Sequence, residues 1–111
     1  MAATADTDRS QALFDEVIAA HKGDDGVTQA KMFGSPGLRT DGKVFACLWK
    51  GNLVVKLPVA RVESLVAAGK AGRFDPGMGR QMKEWVEIAP SHAADWLPLA
   101  AESRAFVESL R

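Results

Sequence analysis

The stretch KMFGSPGLRTDGKVFACLWKGNLVVKLP, residues 31–58, decides the fold. Asp41-Gly42 and Gly51-Asn52 are two-residue turn signals set between apolar runs, a pattern that reads as successive β-hairpins. Three strands result, at residues 38–40, 43–50 and 53–57. Pro58 ends the last of them, because proline brings no N–H to a ladder. A short strand at residues 28–33 leads in. Between it and the meander, Met32, Phe33, Gly34, Pro36 and Gly37 read as a sharp structural corner, since proline sets its own φ and glycine permits positive φ.

Two registers are open at Asp41-Gly42. A strict two-residue turn pairs Arg39 with Val44 and puts both on one face. A three-residue loop with Gly42 left-handed pairs Leu38 with Val44, keeps apolar residues together and is therefore preferred. At the next hairpin, glycine in the first central position suits a type II′ turn at Gly51-Asn52. Leu48 then faces Val55, and Ala46 faces Leu57. Val44, Ala46, Leu48, Leu53, Val55 and Leu57 make the core face. Phe45, Cys47, Trp49, Val54 and Lys56 make a second, mixed face, which the chain's own helix, a second subunit or a partner must cover.

Upstream, residues 9–22 read as a helix, with Asp8 as N-cap, Gln11 three residues on, and Leu13, Phe14, Val17, Ile18 and His21 along one side. Residues 1–8 are expected to be a frayed tail. Downstream, residues 60–68 form a second helix stopped by Gly69. A brief edge strand is expected near Phe74, ahead of a Phe74-Asp75-Pro76-Gly77 turn. Residues 82–88 form the last clear strand, with Lys83, Trp85 and Glu87 opposite Val86 and Ile88. Asp95 caps a final helix whose stripe is Trp96, Leu99, Ala100, Phe106, Val107 and Leu110, leaving Pro98 in its first turn. The order is α-β-β-β-α-β-α. The fold class is α+β, a mainly antiparallel sheet with helices packed on it, in a single domain over residues 9–111.

At 111 residues, 47% hydrophobic and 25% charged, the chain has the composition of one globular domain. No apolar run approaches the length of a membrane span, so no membrane association is expected. The single cysteine fits a reducing cytoplasm. The net charge is zero, yet residues 1–30 carry −4, residues 31–83 carry +7 and residues 84–111 carry −3. A positive centre can meet an anionic partner or be neutralised by the acidic flanking helices, and the second is favoured.

No constellation specifies a reaction. Gly34-Ser35-Pro36-Gly37 fits neither phosphate-binding glycine pattern and precedes no helix. Cys47 reads as a small buried strand residue, and His21 and His92 as separate surface residues without a cysteine at ligand spacing. Glu84 and Glu87 fall on opposite faces of a strand. The chain is therefore expected to have no catalytic residues, no metal and no cofactor. Phe45, Trp49, Val54, Lys56, Lys83 and Trp85 are the candidate interaction face. Its rings and ammonium groups also suit single-stranded nucleic acid, through stacking and phosphate pairing.

Lys31-Met32-Phe33-Gly34, Asp41-Gly42-Lys43-Val44-Phe45-Ala46, Leu53-Val54-Val55-Lys56-Leu57 and Met82-Lys83-Glu84-Trp85-Val86 together resemble the N-terminal domain of the TfoX/Sxy family, over roughly residues 9–111. A relation to MmcQ/YjbR-like proteins is the alternative. The first resemblance implies an α+β fold and a role in transcription regulation and natural competence, where full-length members act beside a cyclic-AMP receptor protein. The chain stops at Arg111, so the family's second, helical domain is expected to be absent. Gly-Ser-Pro-Gly also departs from the Gly-Gly corner common in the family. The expected function is a small regulatory or interaction module acting through protein contacts, self-association as a homodimer included. Nucleic-acid binding through the basic centre is the second expectation.

Overall fold

The computed structural model describes the backbone of residues 2–24, 26–32, 35–74 and 84–110, and the side chains from Arg9 onward apart from Met32 and Ser35. Helix α1 (Ala2–His21) precedes strands β1 (Val27–Met32), β2 (Ser35–Thr40), β3 (Lys43–Trp49) and β4 (Asn52–Lys56). Helix α2 (Val59–Ala67), strands β5 (Gly72–Arg73) and β6 (Trp85–Ile88), a 3₁₀ segment (Pro90–Asp95) and helix α3 (Trp96–Ser109) follow. The strands form one sheet in the order β1-β2-β3-β4-β6-β5, antiparallel at every junction. The class is α+β as expected, with four strands ahead of α2 and the brief edge strand next to Phe74. Helix α1 begins at Ala2 rather than Arg9, through Ala2, Ala3 and Ala5, the residue type with the highest helix propensity. Asp8 thus lies inside the helix, and Gln11 donates to Asp15 instead of closing a capping box.

Three helices cover one face of the sheet. Phe14 and Val17 of α1, Val62 and Leu65 of α2, and Trp96, Leu99 and Val107 of α3 pack against Leu38, Leu48, Leu53, Val55, Val86 and Ile88. Each buried side chain of this size contributes roughly 1.5–3 kcal/mol relative to exposure. Trp96 satisfies its indole by donating Nε1–H to the Ala89 carbonyl at 3.1 Å.

Both inner hairpins turn on two residues of positive φ, the requirement of a type I′ turn. At the first these are Asp41 (53°) and Gly42 (80°), with Thr40 paired to Lys43 and Arg39 to Val44. The strict turn therefore forms, and the bulge lies inside the ladder. Leu38 pairs with Ala46, which leaves Phe45 as the extra residue of β3. A bulge turns consecutive side chains to one side, and Phe45 joins Ala46 in the helix-covered core. Gly37, opposite Cys47, suits the close approach of the strands here. A Cβ on it would come within 3.1 Å of the Ala46 carbonyl oxygen.

The second hairpin turns on Lys50 (48°) and Gly51 (83°), one residue earlier than Gly51-Asn52. Leu48 faces Leu53 and Ala46 faces Val55. The slide covers two residues of register, so the faces keep their parity. Lys50 accepts the left-handed conformation with its ammonium 5.4 Å from the Trp49 ring centroid, while Asn52 stays in β4 and donates to Glu87 at 3.2 Å.

The Ser35-Pro36-Gly37 corner is part of strand β2. Met32 pairs with Ser35 and Lys31 with Pro36, while Phe33 and Gly34 lie outside the described residues. Pro36 is tolerated because β2 meets β3 only from Gly37 onward, so no ladder bond depends on the missing N–H.

Candidate interaction surface

The bulge at Phe45 has a consequence one strand away. Beyond the Ala46–Val55 pair, β3 and β4 no longer bond directly, and the Phe45 carbonyl and the Lys56 N–H need other partners. Ser103 of α3, fully buried, supplies both. Its hydroxyl donates to the Phe45 oxygen at 2.6 Å and accepts from the Lys56 nitrogen at 3.0 Å.

A second polar cluster closes the α1–α3 side. Arg104 donates Nε–H to Glu108 at 3.1 Å, and its Nη1 reaches Asp24 Oδ2 and lies 3.2 Å from His21 Nδ1. Thr40 donates to the same Glu108 carboxylate at 2.6 Å. The hydrogen bond to Asp24 raises the Arg104 pKa further above its ordinary value. His21 is buried against Phe45 in an edge-to-face contact with centroids 5.4 Å apart, which corrects its reading as a surface residue. Guanidinium only donates, so Nδ1 accepts and the ring is the neutral Nε2–H tautomer.

Burial, then the Arg104 charge, lowers the His21 pKa below 6.5, against a partial opposing pull from Asp24 and Glu108. The unfolded chain therefore binds the proton first, and His21 contributes stability that is complete above pH 6.5 and declines as pH falls through that value. The melting temperature should drop on acidification below this point, before the carboxylates titrate. His21→Gln should flatten that part of the profile.

The opposite face is small and partly closed by the chain itself. Cys47, Val54 and Phe74 are buried together, with Trp49 and Trp85 half-buried against them. Phe74 meets the Trp49 ring edge to face, with centroids 5.9 Å apart and planes at 86°. Burial pushes the Cys47 thiol up to about 12, so no thiolate is present at neutral pH. Clefts lined by described residues open at both ends of the sheet. One of about 270 Å³ is lined by Asn52, Gly69–Gly72, Glu87, Ala89 and His92. The other, of about 530 Å³, is lined by Gln29, Ala30, Lys31 and Pro36. Among the described residues no group of three His, Cys, Asp or Glu side chains is placed to hold a metal.

The family model of the TfoX N-terminal domain matches residues 19–106. The chain belongs to this family. No curated protein and no solved structure matches it. The matched span runs from the end of α1 into α3 and thus includes the whole sheet and Ser103.

In this TfoX N-terminal domain the expected interaction face is divided. Trp49, Val54, Lys56 and Trp85 share the second face, where Lys56 pairs with Trp85. Phe45 does not, because the bulge turns it into the core among the helices, at 0% exposure. Val54 is equally buried, under Phe74 and between the tryptophans, and offers no contact surface. Lys83 lies outside the described residues, as do residues 75–77 of the expected turn. Ser103, Arg104 and Glu108 belong to no sequence motif. Their only sequence signal is polarity beside the apolar stripe of α3, with Ser103 four residues before Val107.

The edge formed by β1 was also unread, although Pro36 signals it. A proline cannot take part in the reciprocal N–H···O exchange of a hydrogen-bonded antiparallel pair. The Lys31–Pro36 pair is therefore of the other kind, and the Lys31 N–H and C=O turn away from β2. By alternation the Gln29 groups do the same. Among the described residues β1 ends the sheet, and Gln29 and Lys31 are both exposed.

Proposed function

We propose that this TfoX N-terminal domain is a non-catalytic regulatory module that works through protein contacts in a reducing cytoplasm, the role its family resemblance implies in transcription and competence. The observation that carries the reading is where the reactive side chains are spent. The Ser103 hydroxyl bridges two backbone groups. His21 accepts from an arginine inside the α1–α3 contact. Cys47 is a buried thiol held far above its reactive range. The surface retains instead a sheet edge with outward backbone groups.

The contact reading is favoured over nucleic acid by the state of the rings. Single-strand binders stack bases on open aromatic faces, whereas the Trp49 ring has the Lys50 ammonium over it and is packed against Phe74 in a T-shaped contact. A photo-crosslinking residue placed at exposed Thr28 of β1, with one at exposed Glu63 of α2 as the control, tests this in cells. A discrete adduct at position 28 that is absent at 63 is the expected result. Adducts at neither position would count against it, and so would salt-dependent binding of single- or double-stranded DNA in vitro.

A further inference from the structure

Strand β1 carries a binding edge whose chemistry can be read residue by residue. Its pairing with β2 uses the Thr28 and Ala30 backbone groups and directs those of Gln29 and Lys31 outward, as the Pro36 pairing requires. The N–H of Val27 is already taken by the Asp24 carbonyl at 3.2 Å, and the Gly26 carbonyl by the Asp41 N–H at 3.0 Å. Among the described residues the open length of the edge is therefore the Gln29–Lys31 end, and the cleft of about 530 Å³ lies there, lined by the same residues with Ala30 and Pro36. An edge of this kind with a cleft beside it is the arrangement that takes up an extended peptide, main chain to main chain, with alternate side chains seated in the cleft.

Charge selects the occupant. Residues 27–40 contain Lys31 and Arg39 and no acidic residue, and both cations are exposed. Asp24 and Asp41 stand at the far end of the strand, beside Val27. A second copy of the chain is disfavoured. In the two-fold register that joins all the outward groups, Lys31 of each copy lies across from Gln29 of the other. Both ammonium groups then share one face of the joint sheet with no carboxylate between them.

We propose that the β1 edge binds an extended acidic segment of a partner protein as an additional strand, paired through the Gln29 and Lys31 backbone and drawn in by Lys31. The site rests on the protein-contact reading above and gives it a place and a partner chemistry.

The full chain is titrated at low salt with labelled peptides of about ten residues that alternate Glu with Val, Ile, Leu or Phe, and with their Lys counterparts. Binding is read by anisotropy and by amide exchange. At least one acidic peptide should bind and protect the Gln29 and Lys31 amides, while the Lys peptides do not. Gln29→Pro removes an outward N–H only, so it should keep the wild-type melting temperature and weaken binding by about tenfold or more. Lys31→Glu, which leaves the backbone alone, should shift preference to the Lys peptides.

The proposal falls if no acidic peptide binds, or if binding is unchanged in Gln29→Pro and Lys31→Glu. It falls equally if the wild type sediments as a dimer that Gln29→Pro dissociates, since the edge then belongs to a second copy. A partner adduct in cells that survives Gln29→Pro would sink the edge and leave the contact reading standing. Loss of all adducts in the wild type would sink both.

Discussion

Phe45→Ala is expected to cost about 3–5 kcal/mol of folding stability, the range for emptying a phenylalanine site in a packed core. The side chain is fully buried in the helix-covered core, with His21 in a T-shaped contact against its ring. A domain of this size has a total stability of order 5–15 kcal/mol, so the variant should sit near its unfolding threshold at ambient temperature. Trp49→Ala removes a larger ring from the opposite face, where it is half-exposed, and should cost markedly less. Urea denaturation of the two variants side by side tests the bulge. Equal losses would mean that Phe45 shares the environment of Trp49, as simple alternation along β3 would have it.

Ser103→Ala is the second large effect, about 2–3 kcal/mol, because it strands buried backbone groups rather than merely losing a contact. The Lys56 N–H and the Phe45 carbonyl meet across that one buried hydroxyl, and alanine removes the partner of both. Ser109→Ala is the matched control. Its hydroxyl donates to the Phe106 carbonyl on the exposed side of the same helix, and its loss should stay within about 0.5 kcal/mol. Amide exchange at Lys56 adds a local readout, since protection there should fall in S103A and hold in S109A.

Much of the fold was legible because turn chemistry and burial act on the same residues. Asp41-Gly42 can accept positive φ at both positions, so the hairpin was visible, and the apolar periodicities of β3, β4, β6 and α3 placed the core. The bulge was not legible. Val44 and Phe45 are both apolar, so moving the extra residue from the turn into the ladder leaves the hydrophobic pattern unchanged while sending Phe45 to the other side. The second turn slipped for a related reason. Gly51 fits either central position, and the side-chain bond from Asn52 to Glu87 together with the Lys50–Trp49 contact favours the register that pairs Asn52 with Trp49 in the ladder. His21 lies on the inward side of its helix by periodicity, but its burial is not legible locally, because the arginine that satisfies it stands 83 positions away. Of the candidate surface, the two tryptophans were visible as a pair. The β1 edge was hidden behind a proline read as a corner, when its missing N–H was the clue to which backbone groups face out.

The Ser103 bridge also governs the order in which the chain can complete itself. During synthesis α1 and strands β1–β4 emerge before α3, with the Phe45 carbonyl and the Lys56 N–H both open to water. The group that closes them arrives 47 residues after Lys56, well behind the hairpins, whose contacts are local and fast to form. The sheet of a nascent chain therefore stays unlatched while those 47 residues are made, and its core is sealed only when α3 swings back across it. A chain truncated before residue 103 should collapse without settling into one register, and it is in this interval that its exposed strands most need protection from their neighbours.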